Sequence, residues 1–268
     1  MEDTLLKQPK ISFSNNVTNY YPEILTDDAL LFLSVLHKNF NSRRLELLNN
    51  RVSQQQYFDQ GNFPKFPEET KAIRDGQWTA GSIPHDLQDR RVEITGPVNR
   101  KMIINALNSG ANTFMADLED SNAPTWSNTI QGQQNLIDAN NKTISLIDLK
   151  KDKTYKLKSK TAVLLVRPRG LHLNEHHLTF NNQIASGSLI DFGLYVYHNT
   201  KTLLKNNTAP YFYLPKLEHY LEARWWNDVF KFAQDYLNVP NGTFKATVLV
   251  ETITASFQLY EIIYELKD

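Results

Sequence analysis

Three carboxylates fall within four positions of the stretch TFMADLED, Thr113 to Asp120: Asp117, Glu119 and Asp120. The stretch otherwise reads as a buried strand. Side chains alternate in a strand, so Asp117 and Glu119 point to one side and Asp120 opens the following loop. Two carboxylates facing one interior raise each other's pKa unless a cation or hydrogen-bond donors lie between them. A hard divalent ion with bound water is one answer, because Mg2+ takes oxygen ligands and keeps waters. Capping of the next helix by Asp120 or Ser121 is the other, and the stretch alone favours neither. In LLVRPRG, Arg167 and Arg169 fall on one side by the same alternation. A strand-end guanidinium, permanently charged and bidentate, suits an anionic oxygen; one of the two arginines is expected to pair structurally with nearby acids. VLVETI sets Glu251 at the end of an apolar strand, where a carboxylate needs a metal or an ion-pair partner.

Other chemistries are disfavoured. HLNEH, His172 to His176, matches the H-x-x-E-H zinc pattern, which requires a helix with both histidines on one face. Here it follows directly on a strand end. No GxGxxG or GxxxxGK[ST] is present, and with no cysteine there is no disulfide, thiolate metal site or Cys nucleophile. The 29 Lys+Arg balance 29 Asp+Glu without a block of like charge, which argues against a nucleic-acid partner. The first residues lack a signal-peptide pattern and no apolar run reaches membrane-spanning length, so a soluble, intracellular protein is expected. Asn16-Val-Thr and Asn141-Lys-Thr read as chance sequons.

The elements that must position these residues change in rhythm near residue 91. Before it, Thr26 to Asn50 shows a Thr/Asp helix start and helical apolar spacing, and QWTAGSIPHDLQDRR reads as loop, so residues 1–90 are expected to form a helical clasp. After it come five short apolar runs: Val92–Pro97, Thr113–Asp120, Ala162–Gly170, Tyr211–Lys216 and Lys245–Thr252. Longer helical patterns stand between them, which implies parallel strands buried on both faces. Residues 143–159 read as an inserted polar hairpin. Five such units suit either an open doubly wound sheet or part of a (β/α)8 barrel. The charged residues that close the later runs, Lys216 and Glu218 among them, favour a barrel mouth, although residues 91–268 fall short of the ~250 that a barrel usually takes.

The segments DRRVEITGPVNRKMIINALNSGANTFMADLEDSNAPTWSN, RPRGLHLNEHH, YFYLPKLEHYLEARWWNDVF and KATVLVETITASFQLYEIIYELKD together resemble malate synthase of the shorter, A-type isoform. The resemblance implies an N-terminal clasp on a TIM barrel that performs the Mg2+-dependent condensation of acetyl-CoA with glyoxylate, giving malate and CoA in the glyoxylate cycle. It also implies Arg167 as the catalytic arginine, Glu251 as a direct Mg2+ ligand, and Asp117, Glu119 and Asp120 as acids around the metal and its waters. Family members continue beyond the matched segments, and a second metal-binding aspartate and the aspartate base lie there; no acid of this chain matches either. An incomplete α/β barrel of about five strands is therefore expected, with 91–268 as its first part, an open edge strand prone to self-association, and no turnover by this chain alone. Arg167→Ala is expected to abolish condensation in a completed chain with the fold intact. An incompetent half-barrel that binds Mg2+ and glyoxylate, and a citrate-lyase β-like lyase, are the alternatives. A cytoplasmic location is expected, with a peroxisomal or glyoxysomal one as alternative; CoA-binding residues and oligomeric state are not legible.

Overall fold

A computed structural model describes residues 10–15, 17 and 19–268. The sequon at Asn16 lies outside the described residues. The chain opens with strand β1 (Ile11–Phe13) and then a single long helix, α1 (Asp27–Asp59). Thr26 caps α1 by accepting from Ala29 N, and Asp27 and Asp28 in the first turn complement the helix dipole. The helix runs well past Asn50. A short helix, α2 (Lys71–Asp75), follows, and 76–92 is irregular apart from a 3-10 turn at His85–Leu87. The clasp is thus one helix with long connections.

Five parallel strands come next in the chain, separated by helices and two insertions. They begin β2 (Glu93–Pro97), α3 (Arg100–Leu107), β3 (Thr113–Asp117) and α4 (Trp126–Asn140). The expected hairpin is present as β4 (Ser145–Asp148) and β5 (Lys153–Lys156). Strand β6 (Val163–Arg167) precedes a second hairpin, β7 (Asn174–Phe180) and β8 (Gln183–Ser186), and helix α5 (Gly187–Lys205). The chain finishes with β9 (Tyr211–Leu214), α6 (Tyr220–Tyr236), β10 (Lys245–Val248), α7 (Ile253–Ser256) and α8 (Leu259–Glu265). Strand β1 pairs antiparallel with β7, so the N-terminus is stitched to the second hairpin.

The parallel sheet has the order β2, β3, β6, β9, β10, which is also the chain order. A doubly wound sheet reverses direction at a switch point; this one never does, as in a barrel. Among the described residues it does not close, and β2 and β10 are both edges. Alternation gives the sheet two dry faces. Phe114, Ala116, Val166, Phe212 and Leu214 pack outward against the helices, while Met115, Leu165, Tyr211 and Tyr213 face inward with Leu87. Arg90 reaches the same inner side, donating to Tyr213 Oη at 2.6 Å and to Thr247 Oγ1 at 2.9 Å. The irregular stretch before β2 therefore lines the inner floor through Leu87 and Arg90.

Helix α1 lies across the outer helices. Trp225 of α6 donates its indole N–H to Phe40 O at 3.0 Å, and Arg51 forks onto Glu222 at 2.6 and 2.8 Å. Buried Arg44 has no acid partner among the described residues; it donates to Leu171 O, Asn41 Oδ1 and Asn174 Oδ1, and burial lowers its pKa to about 10. Helix α4 comes close to the sheet at Gly132. A Cβ there would stand 3.0 Å from Val98 Cβ and nearer still to its Cγ2. Overpacking costs about 1–3 kcal/mol and exceeds the ~1 kcal/mol that alanine gains over glycine in a helix. Gly132→Ala should therefore lower the urea midpoint of the chain; an unchanged or raised midpoint would show that Val98 gives way freely.

Candidate active site

The carboxylates and arginines gather at the C-terminal ends of adjacent strands. Asp117 ends β3, Arg167 ends β6, and the two are register partners, so their side chains leave the sheet on the same inner side. Arg167 Nε donates to Asp117 Oδ1 at 2.8 Å and Nη2 to Oδ2 at 2.6 Å. The same carboxylate accepts from Glu119 N at 2.8 Å, Ser121 N at 2.8 Å and Ser121 Oγ at 2.6 Å. Burial alone would raise the pKa of Asp117; the Arg167 and Ser121 bonds outweigh it and hold the pKa below the ordinary value. The carboxylate therefore shapes the turn and anchors the arginine at once.

Glu119 reaches this place by a different route from strand alternation. The strand stops at Asp117, and Glu119 sits in the following bend. Its Oε1 accepts from Gly170 N at 3.1 Å, a close approach that glycine permits, since a Cβ on residue 170 would lie 2.8 Å from that oxygen. Its Oε2 lies 3.1 Å from Lys216 Nζ and 3.8 Å from Arg167 Nη1, yet it makes no hydrogen bond of proper geometry. Burial pushes the Glu119 pKa up, and Lys216 offsets this only in part. Lys216 itself is shifted upward, because Asp120 and Glu119 together outweigh the effect of its burial. The opposite burdens of the pair follow from depth: the acid is enclosed, the ammonium is partly in water.

Asp120, in the turn, takes Lys216 Nζ at 2.7 Å and stands 3.3 Å from Arg167 Nη1. Glu251 is placed differently from the expected buried strand end. Strand β10 ends at Val248, and Glu251 is exposed three residues on, its Oε1 accepting from Lys216 N at 2.8 Å. Exposure removes the burial cost that had demanded a partner. Arg169 points away into its own buried cluster, with Asp191 at 2.8 and 2.9 Å and Glu175 at 2.9 Å. His172 precedes β7 and His176 lies within it, so the H-x-x-E-H pattern is not on a helix.

The structure thus joins Asp117, Glu119, Asp120 and Arg167 directly, and Glu251 through Lys216. The lysine was visible in the sequence only as a strand-end charge. Its φ of 53°, a region that side chains other than glycine rarely adopt, has no sequence signal. Among the described residues no three acids or histidines stand together as a ready cation cage. The donor set still fits a hard cation in kind: the candidate donors are all carboxylate oxygens, and Glu119 Oε2 is buried without a hydrogen bond. Asp117, Glu119 and Asp120 face the two cationic side chains of Arg167 and Lys216, while Glu251 accepts from the Lys216 amide. Arg167→Ala must now be expected to disturb the fold as well, because it would leave Asp117 buried and unpaired.

The raised Glu119 pKa has a consequence for stability. Below the ordinary glutamate pKa the group is protonated in folded and unfolded chains alike; as pH rises above that value the unfolded chain ionises first, so stability falls until the pH has passed the raised folded value. Glu119→Gln should accordingly match the wild type in urea unfolding at pH 4 and exceed it at pH 7. A lower stability at pH 7 would mean that the Lys216 contact dominates.

Parallel strands in sequential order with a charged cluster at their C-terminal ends fit the first part of a (β/α)8 barrel. Sequence comparison makes the class specific. The family profile described as "Malate synthase, N-terminal domain" matches residues 10–72, and "Malate synthase, TIM barrel domain" matches 163–268. The chain is 56% identical to a malate synthase of Myxococcus xanthus over 248 residues, 92% of this chain and 46% of that one. It is 49% identical to malate synthase A of Escherichia coli over 259 residues, 97% of this chain and 48% of that one. A glyoxysomal malate synthase of Ricinus communis is 48% identical over 252 residues, 92% of this chain and 44% of that one. The chain belongs to the malate synthase family, and it spans about half the length of the curated relatives it matches.

Proposed function

We propose that the chain carries the metal and glyoxylate side of a malate synthase active site, for the Mg2+-dependent condensation of acetyl-CoA with glyoxylate and hydrolysis of the thioester to malate and CoA. The observation that carries this is the use of the Arg167 guanidinium. Asp117 takes Nε and Nη2, and Nη1 is left at 3.3 Å or more from any acid, directed toward the turn that bears Asp120. A rigidly held N–H donor beside a charged cluster is suited to an oxygen that gains negative charge as the acetyl group enolises. Glu251 and Asp120 are the exposed acids that would hold Mg2+, with Glu119 behind them. Bound there, Mg2+ would supply Lewis-acid polarisation of the aldehyde.

The chain's own residues do the rest of the positioning. Gly170 N–H and the Asp117 turn fix Glu119, and the Arg169 cluster, tied to α5 and β7, fixes the backbone that follows Arg167. The division of the chain into a helical clasp, 1–90, and the first part of a barrel, 91–268, with acetyl-CoA as co-substrate, belongs to the same reading. A lyase of the citrate-lyase β type is not favoured, since the relatives at 48–56% identity are malate synthases. Among the described residues no helix is long and apolar enough to cross a membrane. The setting proposed is cytoplasmic, with a glyoxysomal one, as named for the Ricinus communis relative, as the alternative.

The test is CoA thiol release that depends on glyoxylate and Mg2+. The 268-residue chain alone is expected to give none, because no acid here matches the family's base. Joined in frame to the C-terminal half of the Myxococcus xanthus relative, it is expected to turn over, and Glu251→Gln should remove both the activity and its Mg2+ dependence. Turnover by the chain alone would place the base among the residues already named.

A further inference from the structure

Lys216 meets the candidate site twice, once by its backbone and once by its side chain. The backbone N–H donates to Glu251 Oε1 at 2.8 Å, held by the left-handed φ of 53°. The ammonium lies 2.7 Å from Asp120 Oδ1 and 3.1 Å from Glu119 Oε2. The Glu119 side chain is 2% exposed, and that oxygen is among the buried polar atoms without a hydrogen bond. The ammonium thus offsets the charge of an oxygen that it does not properly bond. Its own side chain is 33% exposed, so water lies within reach of a small rotation of a flexible stem.

We propose that Lys216 is an internal counter-cation, whose ammonium occupies the acid cluster while no divalent ion is bound and withdraws to solvent when one enters. The inference rests on the magnesium reading above and adds to it a competitor built into the chain. Backbone and side chain have separable parts in this: the amide keeps Glu251 in place whatever residue stands at 216, and only the ammonium competes. Electrostatics sets the direction. A divalent ion and an ammonium cannot share Glu119 and Asp120 without repulsion, so each weakens the other, and by linkage the two effects are equal in size.

Two readouts on the chain joined in frame to the C-terminal half of the Myxococcus xanthus relative test this, with Mn2+ as the probe. In an EPR titration of free Mn2+, Lys216→Met should bind Mn2+ about tenfold more tightly than the wild type, because methionine keeps the stem and the amide but removes the charge. Lys216→Arg, which keeps the charge, should stay near the wild type. Reciprocally, saturating Mn2+ should speed acylation of the Lys216 amine by acetic anhydride, followed on its peptide by mass spectrometry. Equal or weaker Mn2+ binding in Lys216→Met, or acylation unmoved by Mn2+, overturns the counter-cation role while leaving the metal reading in place. Absence of Mn2+ binding in all three chains, or binding indifferent to Glu251→Gln, sinks the metal reading and this inference with it. Should Lys216→Met fail to fold by circular dichroism, the acylation readout on the wild type decides alone.

Discussion

Asp117→Ala is expected to cost the chain about 3–5 kcal/mol of unfolding free energy, the range found when one partner of a buried ion pair is removed. Asp117 is fully buried and accepts five hydrogen bonds, two from Arg167, one from Glu119 N and two from Ser121. Alanine would leave Arg167, nearly as enclosed, with only the more distant Asp120 and Glu119 among the described residues to offset its charge, and would leave the turn that carries them without its acceptor. Asp117→Asn should lose less, since its side-chain oxygen still accepts one turn N–H. The double variant Asp117→Leu, Arg167→Met should recover much of the loss, because no buried charge then lacks a partner. Urea unfolding at neutral pH measures all three. A loss under about 1 kcal/mol for alanine, the range of exposed pairs, would mean that water reaches Arg167 and that the pair is not the anchor described here.

The second large effect concerns chemistry. In the chimera with the Myxococcus xanthus half, Arg167→Lys should lower kcat by about 10²–10³-fold, the usual consequence of losing one preorganised donor at a developing oxyanion. Lysine keeps the charge, so Asp117 retains a counter-ion and the fold is tested less severely than by alanine. An ammonium, however, offers its donors from a single nitrogen, and cannot match both Asp117 oxygens in plane while presenting a separate nitrogen toward the mouth, as the planar guanidinium does. The split between parameters is informative. A fall in kcat with little change in the KM for glyoxylate would place the interaction in the transition state. A KM effect alone would assign Arg167 to substrate binding, and near-normal turnover would remove it from the chemistry.

What the sequence determined by itself was local and chemical. The composition disfavoured nucleic acid and thiolate chemistry, the apolar runs located all five parallel strands, and the polar hairpin at 143–159 appeared as β4 and β5. The residue types at the strand ends gathered the acids and Arg167 before any geometry was known, because strand-end charge in a parallel sheet is costly unless it converges on something. The strand-end charges already favoured a barrel over a doubly wound sheet, but the strand order itself is a long-range property that the same alternation of elements leaves free. The β7–β8 hairpin and its pairing with β1 were hidden for a similar reason: HLNEHHLTF has no clean alternation, and its partner lies more than 160 residues away at Ile11–Phe13. Tertiary structure alone also divided the arginines, sending Arg169 to Asp191 and Arg167 to Asp117. It placed Lys216 between Glu119, Asp120 and Glu251, a position set by the left-handed backbone after β9 and by how far β3, β9 and β10 stand apart, and no periodicity along one chain encodes that distance.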